Sequence, residues 1–159
     1  MAKFIDVDTG EVKVTSEPVM LRAMAIGSCV VVVAFDRDKK IGGLAHIMLP
    51  GRSPRTGSKD KTKYTEDAID ELFEKSKNLG AKIDDMEIGL AGGADLLSGN
   101  KIGETIIDSI LCYLKSLGIM PKRQRLGGCQ RRSVSLDIDS GKIIYTEGDG
   151  AGKEWRGIF

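Results

Sequence analysis

The chain is short of the residues from which most active and binding sites are assembled. Its 159 residues include one histidine, His46, and one tryptophan, and aromatics make up only 5%. The three cysteines, Cys29, Cys112 and Cys129, are an odd number at wide spacing with no CxxC or CxxH pair. That excludes a disulfide framework and a structural zinc site, and it fits a reducing cytoplasm. No N-terminal hydrophobic signal segment is present. The longest uninterrupted apolar stretch, Val30 to Phe35, falls far short of the roughly 20 residues of a membrane-spanning helix. Charge of one sign is missing too: 24 Lys and Arg face 23 Asp and Glu, a formal net charge of +1. With so few aromatics, this balance argues against a nucleic-acid binder. What is present, 41% hydrophobic residues and 20 glycines, suits one soluble globular domain over residues 1–159 with a full core.

A thiol and an imidazole are the minimum parts of a cysteine nucleophile. Cys29 closes Ile26-Gly27-Ser28-Cys29 as the run Val30 to Val33 begins, and His46 follows in Gly42-Gly43-Leu44-Ala45-His46. Val30 to Phe35 and Ile41 to Leu49 flank the polar segment Asp36 to Lys40, the pattern of a β-hairpin. A two-residue or a four-residue turn makes cross-strand partners sum to 77, which sets Cys29 against Met48 and leaves His46 diagonal on the same face. A five-residue turn shifts the register by one and splits the pair across opposite faces. Diagonal neighbours lie roughly 7–8 Å apart by Cα, within reach of longer side chains. The alternative roles are structural: a small buried thiol at a strand end, and a histidine satisfied within an apolar strand. Gly27 and Ser28 make a small-residue turn whose backbone N–H groups can hold an oxyanion, and Gly42 and Gly43 permit close backbone approach.

Residues Phe4 to Thr15 alternate around Asp8-Thr9-Gly10 and predict a first hairpin. Gly51 to Lys61 is a polar loop directly after the histidine strand, either a solvated connector or a lip beside the site. Ala68, Leu72, Phe73 and Leu79 recur at helical intervals between Thr62 and Asn78, and Gly80 supplies a stop. Met86 to Ala91 reads as a buried strand. A second helix spans about Ile102 to Leu117, with Ile106, Ile107, Ile110, Leu111 and Leu114 on its apolar side and Cys112 as inert filling. Strands follow at Arg123 to Leu126, Arg132 to Ile138 and Lys142 to Glu147. This order predicts an α+β layered domain.

Two glycine-rich stretches, Leu90 to Asp95 around Gly92-Gly93 and Ser98 to Thr105, raise a phosphate cradle as one reading. GxxxxGK[ST] and the dinucleotide-binding spacing are both absent, so tight packing or a substrate groove at Gly92 and Gly93 is the better account. Four arginines between Arg123 and Arg132 read as a local basic rim suited to an acidic protein partner.

Several of these motifs occur together in one order. Gly27-Ser28-Cys29-Val30, His46-x-Met48-Leu49-Pro50, Ala91-Gly92-Gly93-Ala94, Asn100-x-Ile102-Gly103, Gly127-Gly128, Arg132-x-Val134 and Ser140-Gly141-Lys142 resemble the chemoreceptor glutamine deamidases, CheD, from about Gly10 to Tyr145. The resemblance implies a three-layer αββ sandwich and hydrolysis of receptor glutamine side chains to glutamate with release of ammonia. It places the nucleophile on Cys29 and its histidine on His46, with methyl-accepting chemoreceptors as substrates and a CheC-type phosphatase as a further partner in chemotaxis. Glutamate methyl esters would be hydrolysed by the same path, and no metal or organic cofactor is called for. The family's threonine six residues before the cysteine, which helps orient the histidine, is Ala23 here, and the asparagines frequent at two further positions are Ile106 and Cys129. A backbone carbonyl, a bound water or Ser28 is left to hold the imidazole. Ala23 also keeps open a non-enzymatic regulatory binder of the phosphatase or receptor, and the dyad alone would equally serve a cysteine hydrolase of some other amide.

Overall fold

Two adjacent strands are buried along their whole length, β4 (Val30–Asp36) and β5 (Ile41–Ile47), and that burial dictates the architecture. A strand apolar on both faces needs a layer on each side. The computed structural model describes residues 3–54, 60–97, 99, 101–148 and 153–155, the last three by backbone only. The remaining elements are β1 (Phe4–Asp6), β2 (Val12–Thr15), β3 (Met20–Ile26), α1 (Thr65–Asn78), β6 (Glu87–Gly92), α2 (Ile102–Ser116), β7 (Arg123–Leu126), β8 (Arg132–Asp137), β9 (Ile143–Glu147) and β10 (Lys153–Trp155).

Among the described residues the strands form two five-stranded sheets, one ordered β2-β5-β4-β6-β7 and the other β1-β3-β8-β9-β10. Val30, Val32, Ala45 and Ile47 face one core with Ala68, Ile69 and Leu72 of α1 and Ile106, Ile110 and Leu114 of α2. Val31, Val33, Phe35 and Leu44 face a second core with Leu21, Val134, Leu136 and Ile143 of the other sheet. The result is the expected α+β sandwich: helices, a doubly covered sheet, and an outer sheet. Gly42 and Gly43 serve this stacking. A Cβ on Gly42 would stand 2.8 Å from Leu136 and Ile138 of the outer sheet, and one on Gly43 2.9 Å from Leu72 of α1.

The register of the central hairpin sums to 77: Val30 pairs with Ile47, Val31 with His46 and Asp36 with Ile41. Four turn residues, Arg37 to Lys40, connect the strands, with Lys40 in the left-handed region. Lys39 N–H donates to Asp36 Oδ1 at 3.1 Å and ties the turn to the strand end.

The predicted first hairpin does not form. β1 pairs in parallel with β3 in the outer sheet, whereas β2 pairs antiparallel with β5 in the covered sheet. Both strands find longer partners than each other, so residues 7–11 cross from one sheet to the other instead of turning back. Other expectations change in detail. Leu79 lies at the C-terminal cap of α1 and is 47% exposed, outside the core. Cys112 points outward from α2 and fills nothing. Nor do the arginines make one rim, because Arg132 is buried, its Nη1 donating to Gly92 O at 3.3 Å and its Nη2 pairing with Glu147 at 3.6 Å.

Candidate functional site

Antiparallel pairing brings the start of β4 and the end of β5 to the same end of the covered sheet. Val31 and His46 are opposite partners, so His46 projects to the side of β4 that carries Val31, the side facing the outer sheet. Cys29, two residues before Val31, packs partly buried against that same core. The hairpin therefore gathers the thiol and the imidazole at one mouth of the inter-sheet space. His46 is buried, 4% exposed, and Cys29 is half-buried.

The crossover of residues 7–11 closes over this end. His46 Nδ1 lies 2.9 Å from the carbonyl oxygen of Val7, and since a carbonyl only accepts, Nδ1 carries the proton and Nε2 keeps its lone pair. Gly10 N–H donates to His46 O at 2.8 Å, and His46 N–H donates to Glu11 O at 3.0 Å. A backbone carbonyl thus holds the imidazole. Ala23 is wholly buried in the inter-sheet core, opposite Val134. Val7 carries no side-chain signature of this role, and Asp8-Thr9-Gly10 resembles an ordinary turn in sequence.

Electrostatics leave both groups uncharged at rest. Burial pushes the Cys29 thiol above its ordinary 9.0, only partly opposed by hydrogen bonds from the Thr9 side chain and from its own backbone N–H. Burial likewise holds His46 below 6.5, opposed by the Val7 carbonyl and the nearby charges of Asp8 and Glu11. A neutral thiol beside a neutral imidazole calls for proton transfer as the sulfur attacks, rather than a stored ion pair. At neutral pH, iodoacetamide is therefore expected to modify the exposed Cys112 and Cys129 well before Cys29. Peptide mass mapping over time checks this order, and Cys29 labelling first would contradict it.

The flanking glycines have separable roles. Gly27 O accepts the Ala94 N–H at 3.0 Å, and a Cβ on Gly27 would stand 2.8 Å from Leu96 Cδ1. Ser28 lines a cavity of about 250 Å³ with Ala94, Asp95, Leu96, Leu97 and Arg131. Just before them, β3 carries a bulge between Ala23 and Ile26, with Ala25 at φ 53° in the left-handed region. Gly92 and Gly93, at φ 122° and 71°, wrap the back of the cysteine turn, where Gly93 N–H donates to Cys29 O at 2.8 Å. Gly93 also lines a second cavity, of about 330 Å³, with Gly103 and Gly128.

Any Cβ on Gly92 would sit 2.2 Å from Cys29 O in a backbone conformation that disfavours side chains. Gly92→Ala is expected to cost about 3 kcal/mol or more, read from denaturant midpoints, and to displace the cysteine turn. A midpoint equal to that of the parent chain would rule out this packing account.

The loop after β5 is described only in part, since residues 55–59 lie outside the described residues, as do Ser98 and Asn100 of the second glycine-rich stretch. Its first residues turn toward the helices. Gly51 N–H donates to Ser109 Oγ at 2.8 Å, and Arg52 pairs with Glu66, Asp67 and Asp70 at 3.1–3.3 Å. Among the described residues, no group of three or more His, Cys, Asp or Glu is placed to hold a metal ion, and no helix is long and apolar enough to cross a membrane.

Comparison with known proteins bears on what such a site does. Residues 48–147 match the family model CheD, described as CheD chemotactic sensory transduction. The match begins two residues beyond His46, but pairwise similarity reaches further. A protein of Methanococcus vannielii named probable chemoreceptor glutamine deamidase CheD is 36% identical over 149 residues, covering 91% of this chain and 96% of its own length. The chemoreceptor glutamine deamidase CheD of Thermotoga maritima is 34% identical over 137 residues, 85% of this chain and 86% of its own. A probable chemoreceptor glutamine deamidase CheD of Haloarcula marismortui is 34% identical over 144 residues, 88% of this chain and 83% of its own.

Proposed function

Given that the chain belongs to the CheD family, we propose that it is a protein-glutamine deamidase, hydrolysing glutamine side chains of chemoreceptors to glutamate and ammonia with Cys29 as nucleophile. The observation that carries this reading is the hold of Val7 O on His46 Nδ1, which leaves Nε2 as the basic nitrogen at the mouth where Cys29 lies. His46 accepts the thiol proton as Sγ bonds to the carboxamide carbon. The oxyanion is received by backbone N–H groups of the Gly27-Ser28-Cys29 turn. The C–N bond breaks, ammonia leaves with the proton from His46, and a thioester remains. Water then attacks with His46 as base, the C–S bond breaks, and the thiolate recovers its proton as glutamate departs. A glutamate methyl ester would follow the same path, with methanol leaving in place of ammonia.

The setting is the cytoplasm, with the receptor's cytoplasmic region as substrate and a CheC-type phosphatase as regulatory partner. Gly92 and Gly93 would contribute to the substrate groove by fixing the wall behind Cys29. A purely regulatory binder is not favoured, because both members of the dyad are present and His46 is held without a hydroxyl at Ala23.

Incubation with a receptor cytoplasmic fragment is expected to release ammonia in step with glutamine-to-glutamate conversion in peptide masses. Turnover of free glutamine with no receptor conversion would instead mark a hydrolase of another amide. Neither activity, with the phosphatase still bound, would leave only the binder.

A further inference from the structure

Among the described residues, Arg132 alone of the lysines and arginines is buried, 5% exposed at the first position of β8. It stands opposite Ile26, the last residue of β3 before the cysteine turn, and shares the inner face of β8 with Val134 and Leu136. From there Nη1 crosses to the covered sheet and donates to Gly92 O at 3.3 Å, while Nη2 pairs with Glu147 of β9 at 3.6 Å. Gly92 is the partner of Val30, the residue after Cys29, and its neighbour Gly93 donates its N–H to Cys29 O at 2.8 Å. One side chain therefore ties the outer sheet to the glycine pair that holds the cysteine turn.

Stability alone does not account for an arginine here. Taking a guanidinium out of water is costly, and this one recovers little: both contacts are long, the Glu147 side chain is 39% exposed, and Arg132 Nε is buried with no hydrogen-bond partner. An unbranched apolar side chain would pack beside Val134 and Leu136 without that cost, leaving Gly92 O to the Gly127 N–H at 2.9 Å and Glu147 to water. We propose that Arg132 is a positioning residue for the deamidation, clamping Gly92 O from the outer sheet so that Gly93 fixes Cys29 O and the turn holds Sγ in one geometry. This rests on Cys29 being the nucleophile. Arg132 takes no part in making or breaking bonds; it acts through the turn, where a misplacement of about 1 Å can cost roughly 10²-fold in rate.

The test compares the parent chain with Arg132→Met, which removes the donors, Arg132→Lys, which keeps a charged donor, and Cys29→Ala, all on receptor fragment. Arg132→Met is expected to keep or raise the thermal midpoint yet lose roughly tenfold or more in kcat with KM held, while Arg132→Lys recovers part of the rate. Alkylation of Cys29, in a Cys112→Ser, Cys129→Ser background, should quicken in Arg132→Met, because a loosened turn opens the half-buried thiol, and slow again in Arg132→Lys. Full activity in Arg132→Met would overturn the proposal. So would a midpoint that falls together with kcat, which makes Arg132 a structural brace, or a rise in KM alone, which makes it a substrate contact. Activity surviving in Cys29→Ala would instead remove the nucleophile itself, an outcome distinct from failure at Arg132.

Discussion

Cys29→Ala is expected to abolish receptor glutamine deamidation, lowering kcat by about 10⁴-fold or more, with the fold intact. The fold should survive because Cys29 is half-buried at the edge of the inter-sheet core, and alanine removes one sulfur from a partly open position. What remains, an oriented neutral imidazole and the backbone donors of the turn, can bind a carboxamide but has no atom to form the acyl intermediate. Receptor binding by the variant should be near that of the parent. Ammonia release measured alongside a pull-down of receptor fragment separates the two. Retained turnover would mean that His46 activates water directly and that the thioester path is wrong.

The second large effect belongs to His46. His46→Ala is expected to lower kcat by about 10²–10⁴-fold and to remove the acid limb of the rate profile. In the parent chain that limb should fall below pH 6.5, because burial depresses the His46 pKa and only the neutral ring can take the thiol proton. The same depression gives stability a sign. On acidification through 6.5 the unfolded chain binds a proton before the folded chain does, so stability is lost from about that pH downward until the folded ring also titrates. His46→Ala should lack this loss while being less stable at neutral pH, since the buried Val7 carbonyl gives up its partner. Chemical denaturation across pH 5 to 8 reads both effects, and an unchanged acid limb of stability in the variant would assign it to other groups. The thiol works in the opposite direction, its raised pKa costing stability as pH rises past 9.0, where the unfolded thiol ionises first.

Much of the site's placement was legible along the chain because β structure has a period of two. Once Arg37 to Lys40 is the turn, the register of Val30–Asp36 against Ile41–Ile47 follows, and with it the common face of Cys29 and His46. The two helices were legible for a similar reason, their apolar residues recurring at helical spacing and glycines standing at their ends. These are local properties, set by neighbours within a few residues.

The residues 4–15 show where such reading stops. Phe4–Asp6 and Val12–Thr15 alternate as a hairpin would, yet one joins the outer sheet and the other the covered sheet, because the longer β3 and β5 offer each a better edge. That choice decides what holds the His46 ring. Only a crossing strand carries the Val7 carbonyl to an imidazole 39 residues away. A peptide carbonyl is present at every position, so nothing in the residue type marks Val7 for the task. Arg132 makes the same point from the other side, a cation whose burial against Gly92 O and Glu147 is decided by sheet packing across the chain. The strands, the helices and the common face of Cys29 and His46 were thus implicit in the order of amino acids. The hold on His46 and the neutral resting state of the pair arise from burial and backbone contacts that exist only once distant segments have met.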